Sequence, residues 1–304
     1  MQKEVIRLTK QERVDIENNN KFVGSGKDGN LYKVGPNVYK FYKDNKDIID
    51  SDKEGIYDSD GVNVTNFRNL RSKSVMVDNR ILNYIDSEGV ILAREEAILK
   101  AIELGDRIKQ TYLPNNIIYE NNKAIGCVYP YYRNTFGIYA SSLLPLRLRL
   151  QICKEIISKV EELLDNNIYP LSLAQRSDEF PISKKESNIL LGLDLKTHIV
   201  DLDGNSTLYS QDYSHKHTTL ALASLSTLVL EILSKIKIYD DNFSNMESII
   251  DYKCNECFKN YIDDMIEEFV KAGIPEHFAH KYYEYGKLEM SDIKRLVREV
   301  EKHR

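Results

Sequence analysis

"HIVDLDGNS", residues 198–206, is the stretch on which the reading of this chain turns. Two apolar residues, Ile199 and Val200, carry the backbone to a pair of carboxylates, Asp201 and Asp203, and Gly204 then makes it turn. A short apolar run that ends in acids just before a glycine predicts a strand with oxygen ligands at its C-terminal end. What those acids hold depends on which partners the rest of the chain supplies.

Upstream, "KFVGSGKDGNLYKVGPNVYKFY" (21–42) alternates apolar and polar positions between glycine-rich breaks, which predicts three short strands joined by two turns. The first turn holds Gly24, Gly26 and Gly29, and "GPN" (35–37) has the chemistry of a tight hairpin. Lys40 stands on the third strand. The acid-rich run that follows reads as part of a polar, solvated insertion over about 43–90. "DSDKEG" in it resembles the start of a calcium loop, but the twelfth position is Gly61 where a bidentate Glu is required, so calcium is set aside.

"SEGVILAREEAILKAIELG" predicts a helix with Ile91, Ala97, Ile98 and Ala101 on one side and a stop at Gly105. Two strands around an Asn-rich turn are expected in "NNIIYENNKAIGCVYPYY", and a long amphipathic helix in "LRLRLQICKEIISKVEELLDNN". Beyond Gly204 helices are expected over 217–235, 246–270, 276–285 and 291–303. Strand-rich sequence followed by helix-rich sequence predicts two lobes joined near Tyr131 to Asn134.

With 304 residues, 42% hydrophobic and 29% charged, the composition is globular. The net charge of -5 supplies no overall attraction to nucleic acid or to an anionic membrane. The longest apolar block, Leu220 to Leu233, falls short of the roughly 20 residues of a membrane span. The N-terminal stretch lacks a secretory pattern, so a cytoplasmic address is expected. The four cysteines are too few and scattered for a disulfide framework. "CNEC" (254–257) and "HFAH" (277–280) offer a Cys pair and a His pair for zinc, yet the sequence between them reads as amphipathic helix, which favours ordinary packed residues.

The ordered set Gly24-x-Gly26-x-x-Gly29, Lys40, Glu95 in "REEAIL", the hinge after "GCVYPYY", Asn188 in "SNILL" and Asp201 in "VDLDG" resembles the protein-kinase-like superfamily, in the form of an atypical bacterial-type Ser/Thr kinase or pseudokinase. Any one of these features is commonplace in ordinary folds; their joint order carries the resemblance. It implies an α+β, bilobal protein-kinase-like fold: a small β-rich N-lobe over 1–133 and a larger helical C-lobe over 134–304. It also implies that the glycine loop covers ATP phosphates, that Lys40 contacts them, that Glu95 (or Glu96 beside it) pairs with Lys40, and that Tyr129 of the hinge region helps hold the nucleotide. Asn188 and Asp201 stand at the interval familiar between the family's two magnesium ligands, with "NILL" and "HIVD" as the arms of a hairpin, and Mg²⁺ favours such oxygen ligands together with phosphate. Leu202 matches the apolar residue behind the metal-binding aspartate, and Asp203 replaces the usual glycine.

The resemblance fails at the catalytic loop. Counting back from Asn188 puts Ser183 where the family has its catalytic aspartate, and matching forward from the helix puts Ser172 there. A serine hydroxyl does not act as that carboxylate does. Asp178, in the intervening stretch, is the candidate replacement base; Lys184 and Lys185 are candidate phosphate neutralisers. No A-P-E sequence follows Gly204. The expected function is therefore an atypical Mg²⁺- and ATP-dependent Ser/Thr phosphotransferase acting on a protein, with two alternatives: a catalytically weak pseudokinase that serves a protein partner, or a small-molecule kinase. Neither nucleic acid nor membrane is an expected partner.

Overall fold

The computed structural model of the chain describes residues 5–25, 29–43, 75–77, 80–82, 95, 98–99, 101–105, 108, 113–170, 173, 188–202, 207–209, 215–236, 238, 256–283 and 288–303. The architecture is α+β, in two compact units. One comprises Met1–Tyr132 with Asp201–Asn205, the other Arg133–Val200 with Ser206–Arg304.

The first unit is built on a six-stranded sheet with the order β1-β7-β8-β4-β3-β2. Its strands are β1 (Ile6–Leu8), β2 (Lys21–Ser25), β3 (Gly29–Val34), β4 (Asn37–Tyr42), β7 (Asn116–Glu120) and β8 (Lys123–Pro130). Alternation in 21–42 becomes the antiparallel meander β2-β3-β4, turned at Gly35, whose φ of 59° lies in the left-handed region that glycine tolerates. The Pro36 carbonyl then accepts the Tyr131 N–H at 2.9 Å, tying that turn to the end of β8.

The two faces of the sheet are buried by different helices. Ile117, Ala124, Cys127 and Tyr129 cluster with Ile98 and Ile102 of the helix that carries Glu95, whose described residues are 95, 98, 99 and 101–105. On the opposite face Phe41, Ile118 and Val128 pack with Ile6, Leu8 and Ile16. Ile16 belongs to α1 (Lys10–Asn19), which the sequence reading did not anticipate. Its start is nevertheless written in "TKQE": the Glu12 N–H donates to Thr9 Oγ1 at 3.2 Å, and Glu12 Oε2 accepts the Thr9 N–H at 2.7 Å, a reciprocal cap of about 1 kcal/mol.

A second difference falls in the stretch read as a polar insertion. β5 (Val75–Val77) and β6 (Arg80–Leu82) form an antiparallel pair there. Their "VMV" and the Ile81–Leu82 pair are local apolar residues that the acidity of 43–60 does not affect. Residues 44–74 and 83–94 lie outside the described residues.

The second unit contains β9 (Thr135–Gly137), a 3-10 turn (Ile138–Leu143), α2 (Leu146–Asp165), β10 (Ile168–Pro170), β11 (Ile189–Gly192), β12 (Thr197–Ile199) and β13 (Thr207–Tyr209). The helices α3 (His215–Ser234), α4 (Glu256–Lys271), α5 (Glu276–Tyr283) and α6 (Met290–Lys302) follow. The three-and-four spacing of α2 buries Leu150, Ile152, Cys153, Ile156, Val160 and Leu163, and the helix packs on α3 and α6. Burial pushes the Cys153 thiol up, which leaves it protonated and unreactive. Arg149 of α2 reaches the C-terminus of α3, where its Nη1 donates to the carbonyls of Ile232, at 2.8 Å, and Leu233. "NILL" and "THI" pair antiparallel as β11 and β12, with β9 along the other edge of β11. Among the described residues no helix is long and apolar enough to cross a membrane.

Candidate functional site

The site is best built outward from Lys40. In the β4–β8 register Lys40 lies opposite Cys127, which puts both side chains on the face that the Glu95 helix covers. Lys40 is only 4% exposed. An ammonium taken out of water costs several kcal/mol unless a charge meets it, and here Lys40 Nζ forms an ion pair with Asp201 Oδ1, 161 positions away in sequence. The two ends of this pair differ. The Lys40 side chain is 6% exposed and the Asp201 side chain 34%, so the carboxylate reaches solvent while the ammonium does not.

Asp201 has a φ of 64°, in the left-handed region where residues other than glycine are uncommon and Asp is among the better tolerated. Held strain of this kind concentrates at functional positions. Leu202 behind it is buried at 1% exposure, as an apolar anchor requires. Immediately before Asp201, the Val200 N–H donates to the Asn188 carbonyl at 2.8 Å, which closes the open end of the β11–β12 hairpin in the second unit.

The glycine hairpin, the buried lysine on the third strand of its meander, the helix over that lysine's face and the hairpin leading from Asn188 to Asp201 all occur in the expected order. That order is the one the protein-kinase-like resemblance implies.

The glycines have separate reasons. A Cβ on Gly29 would stand 2.5 Å from the Phe41 carbonyl oxygen, so close strand pairing alone requires glycine there. Among the described residues nothing lies within 4 Å of a Cβ built on Gly24, beside the β-bulge between Phe22 and Gly24. Gly26 lies outside the described residues, as do Glu96, Ser172, Asp178, Ser183, Lys184, Lys185, Asp203 and Gly204.

Two expected contacts take another form. Glu95, expected to pair with Lys40, instead accepts the hydroxyl of Tyr119 on β7 through its Oε1, and the Lys40 ammonium goes to Asp201. Burial, and after it this bond to Glu95, pushes the Tyr119 phenol up to about 12. Tyr129, expected to help hold a nucleotide, packs its ring into the core with Ile98 and Ile102. The Tyr119–Glu95 bond carries no sequence motif. Of the residues weighed for zinc, His277 meets Glu299 at 3.3 Å and Cys254 lies outside the described residues.

The donor set fits a metal–nucleotide. Asp201 Oδ1 is engaged by Lys40, and the half-open carboxylate is a hard oxygen ligand of the type Mg²⁺ takes; the ammonium is a point charge suited to phosphate oxygens.

No protein-family model matches the sequence, and no curated protein sequence matches it. Among solved structures the chain is similar to an apo pseudokinase, with 12% sequence identity and a TM-score of 0.49 over 99% of this chain and 95% of that one.

Proposed function

We propose that this kinase-like protein binds ATP with Mg²⁺ and transfers the γ-phosphoryl group to a Ser or Thr hydroxyl of a protein, working in the cytoplasm. The observation that carries the reading is the Lys40–Asp201 pair, a buried cation and a half-open, backbone-strained carboxylate joined beside a glycine hairpin. Bound Mg²⁺ would neutralise phosphate charge. Lys40 would hold α- and β-phosphate oxygens, Asp201 and Asn188 would supply oxygen ligands to the metal, and the backbone at Gly24 would approach the phosphates. In the transfer the acceptor oxygen forms a bond to the γ-phosphorus, the bond to the bridging oxygen breaks with its electrons leaving on ADP, and the hydroxyl proton passes to Asp178 or to water. Positioning and charge neutralisation supply most of the rate in this chemistry, so a serine at the catalytic-loop position lowers turnover without removing the reaction.

Purified protein given γ-labelled ATP and magnesium is expected to label itself or an added protein, and Asp201→Ala is expected to abolish labelling. Undiminished labelling in that variant would reject the metal assignment. A second reading, a pseudokinase whose nucleotide prepares it for a protein partner, is favoured by the serines at both catalytic-loop alignments. Its signature is a nucleotide-dependent rise in melting temperature without turnover, about 2.7 kcal/mol of stabilisation at a hundredfold excess over Kd.

A further inference from the structure

The strand that leads to Asp201 is short and lies at an edge. β12 is three residues long, Thr197–Ile199, and among the described residues it is an outer strand of the sheet β12-β11-β9. On its inner side the Val200 N–H donates to the Asn188 carbonyl at 2.8 Å, and the Lys196 carbonyl accepts the Gly192 N–H at 2.8 Å. Main-chain groups of an antiparallel strand turn to alternate sides, so Thr197 presents its N–H and C=O away from β11. Two side chains of α2 meet them. Glu155 Oε1 accepts the Thr197 N–H at 3.1 Å, and Lys159 Nζ donates to the Thr197 carbonyl. Glu155 and Lys159, one helical turn apart, also pair with each other at 2.7 Å. The contact is internal: Thr197 is 0% exposed and Lys159 6%. The Thr197 hydroxyl has no partner, so what the helix recognises is the main chain.

We infer that Glu155 and Lys159 are positioning residues for the metal site: an acceptor and a donor matched to the N–H and C=O of Thr197, they fix the register of β12 on β11, and with it how far the chain has run past Asn188 when it reaches Asp201. The inference rests on the reading of Asn188 and Asp201 as the metal ligands. Register is what such ligands need. A slip of one residue moves a strand by about 3.3 Å and turns each side chain to the opposite face, whereas metal–oxygen distances hold to within about 0.2 Å. A three-residue ladder specifies register weakly by itself. A buried ion pair adds little stability over apolar side chains of the same size, and its best-attested use is to specify a register. The order of the two charges carries the information. An ammonium cannot accept an N–H and a carboxylate cannot donate to a carbonyl, so the pair fits Thr197 in one orientation only.

The test is a charge swap in the full chain, Glu155→Lys with Lys159→Glu, which keeps an ion pair and reverses its polarity against Thr197. Hydrogen exchange is expected to show the Val200 amide, which neither side chain touches, exchanging at least about tenfold faster in the swap, with amides of α6 unchanged. Affinity for a non-hydrolysable ATP analogue is expected to fall about tenfold in the presence of Mg²⁺ and to stay within about twofold without it, a split that a merely structural pair would not produce. Lys159→Met, which retains the Glu155 acceptor, is expected to move both readouts the same way and carries the test if the swap does not fold. Thr197→Val, which removes only the unpartnered hydroxyl, is expected to match wild type. An unchanged Val200 amide, an equal loss of affinity with and without Mg²⁺, or a loss in Thr197→Val overturns the inference. If wild type binds no nucleotide, the functional reading fails by itself, and the Val200 amide still decides whether the pair fixes β12.

Discussion

Lys40 and Asp201, 161 positions apart in the chain, meet as an ion pair that is buried at the lysine end and open at the aspartate end. Lys40→Met tests what that asymmetry is for. The methionine fills the buried stem and removes an ammonium that is costly to desolvate, while the remaining carboxylate keeps its water. Stability is expected to change by less than about 1 kcal/mol. Nucleotide affinity is expected to fall at least about tenfold, the loss of one charge-assisted contact. Thermal melts and a fluorescent-nucleotide titration separate the two; a large loss of stability with unaltered affinity would make the pair a purely structural one.

The glycines divide into two kinds. Gly126 lies on β8 against β4, where an added Cβ would stand 2.0 Å from the Lys40 carbonyl oxygen, a backbone atom that cannot rotate away. Gly126→Ala is expected to lose about 1–3 kcal/mol in urea denaturation as β8 is pushed off β4. Gly24 has open space, and Gly24→Ala is expected to stay within about 0.5 kcal/mol of wild type while weakening nucleotide binding. Equal denaturation midpoints for all three proteins would contradict the packing argument.

His198 on β12 is half-buried, and burial first, then the Lys159 charge, hold its imidazole below the ordinary value of 6.5; Asp194 and Glu155 pull the other way, and Lys196 adds to the lowering. A base with a depressed folded pKa binds fewer protons than it does in the unfolded chain once the pH drops below about 6.5. Its contribution to stability is therefore whole above that pH and is lost as the pH falls toward the folded value. Melting temperature is expected to drop more steeply between about pH 7 and 5 in wild type than in His198→Gln. Parallel slopes for the two would show that another group carries the acid sensitivity.

Arg149 satisfies the last carbonyls of α3 from within the core of the second unit. Arg149→Met preserves the packed stem and leaves the Ile232 and Leu233 carbonyls without this donor. A loss of about 2 kcal/mol is expected by chemical denaturation, in the range for hydrogen bonds to a charged group. No change would mean that water replaces the guanidinium at no cost.

Much of this was legible in the sequence, for local reasons. The β2-β3-β4 meander and the β11–β12 hairpin follow period-two alternation between turn residues; Lys40 stands within one such run and Asp201 just past the end of another. The N-terminal strand was not legible. Ile6–Leu8 is three residues long, too short for alternation to register, and its partner β7 lies far along the chain in a parallel pairing that has no turn signature. The capping box at Thr9 and Glu12 was a usable signal for the helix beside it. The partner of Glu95 was hidden for a different reason. Which side chain that carboxylate meets depends on how the helix carrying it is placed on the sheet, which apolar spacing does not encode.

The most direct measurement is a titration of the purified chain with ATP, with and without Mg²⁺, in wild type and Asp201→Asn, an exchange that keeps the side-chain shape and removes the carboxylate charge. Wild type is expected to bind in a magnesium-dependent way, and the variant to lose that dependence. Binding that is equally magnesium-dependent in both proteins would show that Asp201 does not hold the metal.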